Sequence, residues 1–170
     1  MRNVGLERLL VVNLFGTYDV TQTFLPVLAQ SRSAIVNALS LASLAAVPFD
    51  SLYSISKAAA FSLSQSLRDL LAGRGVSVHI VLPGPIDTDM TRNLDIPKAS
   101  AESAARAILD GVERGDEEIF PDPMSGTIAE GWRSSAVKAL EHQFAGYVQE
   151  TPVGRAEPVL RVSSDAADIA

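Results

Sequence analysis

The chain contains no cysteine. That excludes disulfides and thiolate chemistry and agrees with a cytoplasmic location. No apolar run approaches eighteen residues, so no membrane span is expected. Behind Arg2 and Arg8 the apolar stretch is interrupted by Asn13, Thr17 and Asp19, and no signal peptide is read there. Basic stripes are missing too. The net charge is −6, and its acids gather late: residues 101–170 hold 13 acids and 6 bases, residues 1–100 hold 7 and 8. Nucleic acid is therefore not an expected partner. His79 and His142 have no partners at ligand spacing, so no metal is expected. His79, alternating with apolar neighbours, reads as a core histidine, and His142 as a solvated one. There is no internal repeat, and no glycine-rich turn of the kind that opens a phosphate-binding helix.

What is present is an ordinary globular composition, 47% apolar over 170 residues, which fits one domain. The chain parses as α–β–α–β–α–β–α. A long helix is expected from Leu6 to Gln30, with Leu6, Leu9, Leu10, Asn13, Thr17, Val20 and Phe24 near one face and Leu14 and Leu28 widening it. Pro26 should bend this helix or loosen its last turn. Ala34–Leu39 reads as a buried strand. Ser51–Leu71 reads as a second long helix, with Ser51 as N-cap and Gly73 and Gly75 at its end. Val76–Leu82 is the next strand, Ser100 opens a helix that stops at Gly115, and Glu117–Phe120 is a short last strand. A weaker helix is expected from about Ser125 to Tyr147. Residues 1–149 then form one domain, and residues 150–170, without apolar period, are expected to be disordered. Alternating strands and helices predict an α/β fold: a partial doubly wound parallel sheet of about three strands flanked by long helices.

Tyr53 and Lys57 lie four residues apart in the second helix, so both side chains occupy one face, a turn apart. Ser40 stands thirteen residues before Tyr53, at a strand end. Ser43 competes with it, and the strand end favours Ser40, because ligands sit at the carboxyl ends of strands in open α/β sheets. Pro83-Gly84-Pro85-Ile86-Asp87-Thr88 follows the next strand. In order, spacing and placement, Val11-Val12-Asn13-Leu14-Phe15-Gly16, Ile35-Val36-Asn37-Ala38-Leu39-Ser40, Tyr53-x-x-x-Lys57 and this turn resemble the short-chain dehydrogenase/reductase family from about Leu6 to Tyr147.

The resemblance implies an NAD- or NADP-dependent oxidoreductase moving hydride between the nicotinamide and a small alcohol or carbonyl substrate. Asn13, Ser40, Tyr53 and Lys57 would be its catalytic residues, with Asn13 holding a water that relays protons from Lys57. Tyr53, Lys57, Pro83, Gly84, Ile86 and Thr88 would meet the nicotinamide end of the cofactor; Thr88 reads equally as a helix N-cap. The segment after Met90 would cover the substrate, whereas Trp132 reads as packing. A free phenol loses its proton near pH 10. Lys57 at about 5 Å, in an effective dielectric of about 20, would favour tyrosinate by on the order of 3 kcal/mol, about two pKa units.

One element of that family is missing. Its members begin with a strand, a glycine-rich turn and a helix that hold the rest of the dinucleotide, and nothing here matches them. The sequence is thus expected to be the carboxyl-terminal portion of such a protein, either a fragment of a longer chain or the product of a truncated gene, with weak cofactor binding and doubtful activity by itself. The alternative is a non-catalytic fragment that serves as a dimerising module. The Ala34–Leu39 strand is expected to form an exposed edge. By the resemblance the two long helices pack against a second subunit, as a homodimer or homotetramer.

Overall fold

The first long helix carries a local change of pitch. The structure, a computed structural model, describes residues 4–31 and 33–150. Helix α1 (Val4–Leu10) runs through a π-helical turn, Val11–Phe15, into α2 (Gly16–Ser31). The Gly16 N–H reaches back five residues to Val11 O, the mark of a π turn. One extra residue in that turn advances the side-chain phase by about 100°. The buried stripe of α2 is accordingly Thr21 and Leu25, with Leu28 against the core, while Val20 and Phe24, expected on the inner face, are more than half exposed. Pro26 lies inside α2, which continues to Ser31.

Strand β1 (Ala34–Ala38) pairs in parallel with β2 (Ser77–Val81), which pairs in parallel with the short β5 (Glu118–Ile119). The register sets Ala34 beside Ser77 and Ala38 beside Val81. Helix α3 (Ser51–Ala72) covers one sheet face. Leu67 and Leu71 pack with Leu25, Val76 and Val78, and Ala60 and Phe61 pack with Leu39, Ile80 and Leu82. The alternate strand residues 76, 78, 80 and 82 thus share one face, as the two-residue strand period requires. Leu67, Leu71, Ile80 and Leu82 are fully buried; truncating such a leucine costs about 2–5 kcal/mol. This is the three-stranded parallel sheet with flanking helices that the pattern implied.

The edge of β1 opposite β2 has no strand beside it among the described residues. Val36 is 43% exposed there, and an apolar groove of about 580 Å³ runs between β1 and α2 past Val20 and Phe24.

Several boundaries differ from expectation. Ser51 is not the N-cap of α3 but its first helical residue, with Asp50 in front of it. A two-residue parallel pair, β3 (Ile86–Asp87) with β4 (Ala99–Ser100), closes the loop after the Pro–Gly turn. Ser100 caps α4 (Ala101–Arg114) by accepting from Ser103 N, and Gly115 ends it at φ 77°, a left-handed conformation that suits glycine. Gly111 lets α4 approach the sheet: a Cβ there would stand 2.8 Å from the Ile119 side chain. The weaker helix is two helices, α5 (Pro123–Arg133) and α6 (Ala136–Glu150), separated at Ser134 and Ser135. Ser135 Oγ accepts from Lys138 N and so closes the first turn of α6. Residues 151–170, most of the expected tail, lie outside the described residues.

A buried ion cluster fastens α6 to α3 and β5. Arg68 donates to Glu118 and Glu141 at 2.8 Å, and Lys138 lies 2.6 Å from Glu117 and 2.9 Å from Glu118. The Trp132 indole donates to Glu118 and meets Phe61 edge-on. Burial pushes the Glu117 carboxyl up, but hydrogen bonds from Lys138 and His142 and the charges of Lys138 and Arg68 outweigh it and bring it down to about 2. His142, read as solvated, is exposed yet pairs with Glu117 at 3.2 Å. His79 is a buried, satisfied histidine, with Asp116 O and Ser77 Oγ on its two nitrogens.

Candidate active site

The parallel pairing of β1 and β2 continues past both strands. Leu39 N donates to Val81 O and Leu41 N to Pro83 O. These two bonds put Ser40 and the Pro83–Pro85 turn side by side at the carboxyl end of the sheet. Ser40 is extended, and its Oγ accepts from Ala42 N at 3.1 Å, capping the short Leu41–Ser43 turn. Helix α3 then passes the same end and brings Tyr53 and Lys57 to it.

The Tyr53 phenol lies close enough to the Ser40 side chain for that hydroxyl to act on its proton affinity. Lys57 Nζ donates to Ala38 O at 3.2 Å and lies 5.7 Å from the Tyr53 ring centre. Ser43 Oγ is buried with no hydrogen-bond partner, so between the two candidate serines it is Ser40 that joins the tyrosine. Asn13 sits inside the π turn. Its amide donates to Ser56 Oγ at 2.9 Å, Ser56 donates to Tyr53 O at 2.8 Å, and Thr17 Oγ1 donates to Asn13 O. Asn13 therefore ties the first helix to the turn of α3 that carries Tyr53. Ser56, fully buried, escaped the sequence reading, since a serine in a helix has no pattern that announces a partner 43 residues away.

The expectation for the phenol is corrected. Tyr53 is raised above its ordinary value, first by burial, against the Ser40 hydroxyl, and further by the Asp50 carboxylate. Lys57 is lowered, by burial. Lys57 does not overcome desolvation because its ammonium is spent on the Ala38 carbonyl and faces the ring, while Asp50, just before α3, adds a charge of opposite effect.

Pro83 and Gly84 belong to the same end of the sheet. Gly84 N donates to Asp122 Oδ2 at 2.8 Å. Thr88 precedes the short turn Asp89–Thr91: its N–H donates to Thr91 Oγ1 at 3.3 Å and its carbonyl accepts from Thr91 N, the cap geometry that was one of its two readings. Ile86 O accepts from Thr91 Oγ1. Met90 is 82% exposed, and a groove of about 510 Å³ opens beside it between Arg92 and Ser100. Among the described residues no cluster of His, Asp or Glu is placed to hold a metal, no helix is long and apolar enough to cross a membrane, and no glycine-rich turn joins a strand to a helix.

The short chain dehydrogenase family model matches residues 1–99. Mouse estradiol 17-beta-dehydrogenase 2 is 36% identical over 114 residues, 67% of this chain and 29% of that protein. The 3-oxoacyl-[acyl-carrier-protein] reductase FabG of Thermotoga maritima is 32% identical over 120 residues, 70% of this chain and 48% of that one. The crystal structure of a short chain dehydrogenase from Burkholderia cenocepacia J2315 in complex with NADP has a TM-score of 0.69 at 38% identity, over 79% of this chain and 56% of that one. The chain thus spans about half or less of the length of the curated relatives it matches.

The state of Tyr53 can be read directly. A phenol raised in the folded chain holds its proton more tightly there than in the unfolded chain. Its contribution to stability is intact below pH 10 and is lost as pH rises through the folded value. Ultraviolet titration at the phenolate band should find one of the three tyrosines ionising above pH 10, and Tyr53→Phe should remove that step and flatten the alkaline loss of stability. A Tyr53 step below pH 10 would contradict the burial argument. With the sheet, the Ser40–Tyr53–Lys57 arrangement and the family match in agreement, the chain belongs to the short-chain dehydrogenase family.

Proposed function

We propose that this chain carries the proton-transfer end of an NAD- or NADP-dependent oxidoreductase acting on a small alcohol or carbonyl substrate. The observation that supports it most is the meeting of Ser40, Tyr53 and Lys57 at the carboxyl end of the sheet, with the Lys57 ammonium 5.7 Å from the Tyr53 ring centre and bonded to Ala38 O. The donor set fits a nicotinamide riboside and a carbonyl oxygen: two hydroxyls, one ammonium and a turn whose glycine carries no side chain. When bound, that cofactor supplies the hydride. The protein supplies the rest. At neutral pH Tyr53 keeps its proton and is loaded to give it to a carbonyl oxygen as negative charge develops there. Ser40 hydrogen-bonds the same oxygen and steadies that charge. Lys57 holds the ribose side and orients the phenol. Asn13 anchors the π turn against α3, and by the family resemblance it would hold a water that relays protons from Lys57. Pro83, Gly84, Ile86 and Thr88 form the wall against the nicotinamide ring. We place the protein in the cytoplasm.

The half-exposed Val20, Phe24 and Val27 on α2 and Ile55 on α3 support assembly through these helices as a homodimer or homotetramer. Light scattering at micromolar concentration should give at least twice the chain mass, and a monodisperse monomer would contradict that assembly.

The catalytic reading is tested by following the absorbance of millimolar NADPH with a panel of small ketones and oxoesters. Turnover should be slow, and Tyr53→Phe should lower it by at least about 100-fold, the scale of a positioned acid–base group. Lys57→Ala should lower the rate and raise the cofactor concentration needed. A Tyr53→Phe chain with unchanged turnover would sink the assignment. The non-catalytic alternative predicts no turnover in either chain.

A further inference from the structure

We propose that Asp122 is a positioning residue, which clamps the Pro83–Pro85 turn and through it fixes Ser40 relative to the nicotinamide wall; the inference rests on the functional reading above. Asp122 is 7% exposed and precedes α5. Its Oδ1 accepts from Met124 N at 3.0 Å and Ser125 N at 3.1 Å, which is ordinary helix capping. Capping needs one oxygen. The other, Oδ2, accepts from Ser125 Oγ at 2.6 Å and, across 38 residues, from Gly84 N at 2.8 Å.

Gly84 is flanked by Pro83 and Pro85, neither of which has an N–H. Its amide is the sole backbone donor of the turn, and Asp122 takes it. The turn is pressed close: a Cβ on Gly84 would lie 2.9 Å from Asp122 Oδ1 and 3.2 Å from the Met124 Cβ and Sδ. On the other side, Pro83 O accepts from Leu41 N, the residue after Ser40. A continuous path runs from the Asp122 carboxylate through Gly84 and Pro83 to the turn that holds Ser40, and two residues beyond Gly84 the chain enters β3 at Ile86. A buried carboxylate bonded to backbone amides is a strong and directional anchor. Its removal leaves the half-buried Gly84 amide without that acceptor.

The test uses the full 170-residue chain, nitrogen-15 labelled, with Asp122→Asn. The amide form can still cap α5 through its oxygen, but it turns an NH₂ toward Gly84 N–H. Amide hydrogen exchange should accelerate about tenfold at Gly84 and also at Leu41, as loss of one such bond implies, while the amides of α5 keep their protection. Reduced nicotinamide mononucleotide is then added as the probe. In the unaltered chain it should shift the amides of Gly84, Ile86, Thr88, Ser40 and Tyr53. In Asp122→Asn the shifts at Gly84, Ile86 and Thr88 should shrink at least threefold while that at Tyr53 persists. Ser125→Ala, which keeps the carboxylate on Gly84, should resemble the unaltered chain. Gly84→Ala, which drives a methyl into the same carboxylate from the other side, should reproduce the Asp122→Asn pattern and stands in for it if that variant does not fold. Unchanged exchange at Gly84 and Leu41, or equal effects in Ser125→Ala, would overturn the clamp and leave Asp122 a helix cap. No shift anywhere in the unaltered chain, with exchange at Gly84 and Leu41 still accelerated in Asp122→Asn, would count against the functional reading and not against the clamp.

Discussion

Everything at the site depends on the parallel pairing of β1 with β2. Two strands that run the same way end at the same place, and here the hydrogen-bonding continues past their ends, from Leu39 to Val81 and from Leu41 to Pro83. Ser40 and the Pro–Gly turn are neighbours for that reason. Helix α3 returns across the sheet with Leu67 and Leu71 packed toward the strand starts and Ala60 and Phe61 toward their ends. That packing fixes which end of α3 overhangs the carboxyl edge, and therefore where Tyr53 and Lys57 stand. The chemistry is a consequence of the direction of two strands and the register of one helix.

The electrostatics of the site follow from what is near the phenol. Burial and Asp50 favour the protonated form, and the Ser40 hydroxyl only partly opposes them. On the proposed function, Tyr53 in this state is loaded to donate its proton. The positive charge of a bound oxidised nicotinamide ring would act in the opposite sense. The expectation from the Tyr–Lys spacing had the wrong sign because it left out burial and Asp50.

Much of this arrangement was legible in the sequence. Helix periodicity set Tyr53 and Lys57 on one face and the strand end favoured Ser40, but their roles came from the family resemblance; the parallel sheet was read from the alternation of strands and helices. The face of the first helix was not, because a 3.6-residue period cannot foresee a π turn; the shift from Val20 and Phe24 to Thr21 and Leu25 records the one extra residue at Val11–Phe15. The contacts that steady the site were also hidden. Asn13 with Ser56, and Gly84 with Asp122, join residues 43 and 38 positions apart, and each partner alone looks like an unremarkable polar residue on or before a helix. The pairing of His142 with Glu117 was missed for the same reason.

On the proposed function the described residues would meet only the nicotinamide end of a dinucleotide, and among them no glycine-rich turn stands at a helix N-terminus to take a pyrophosphate. Isothermal titration of the purified 170-residue chain with NADH and NADPH reads that asymmetry. The account predicts dissociation constants of about millimolar or weaker, only about 4 kcal/mol of binding free energy. A micromolar constant for either cofactor would contradict it.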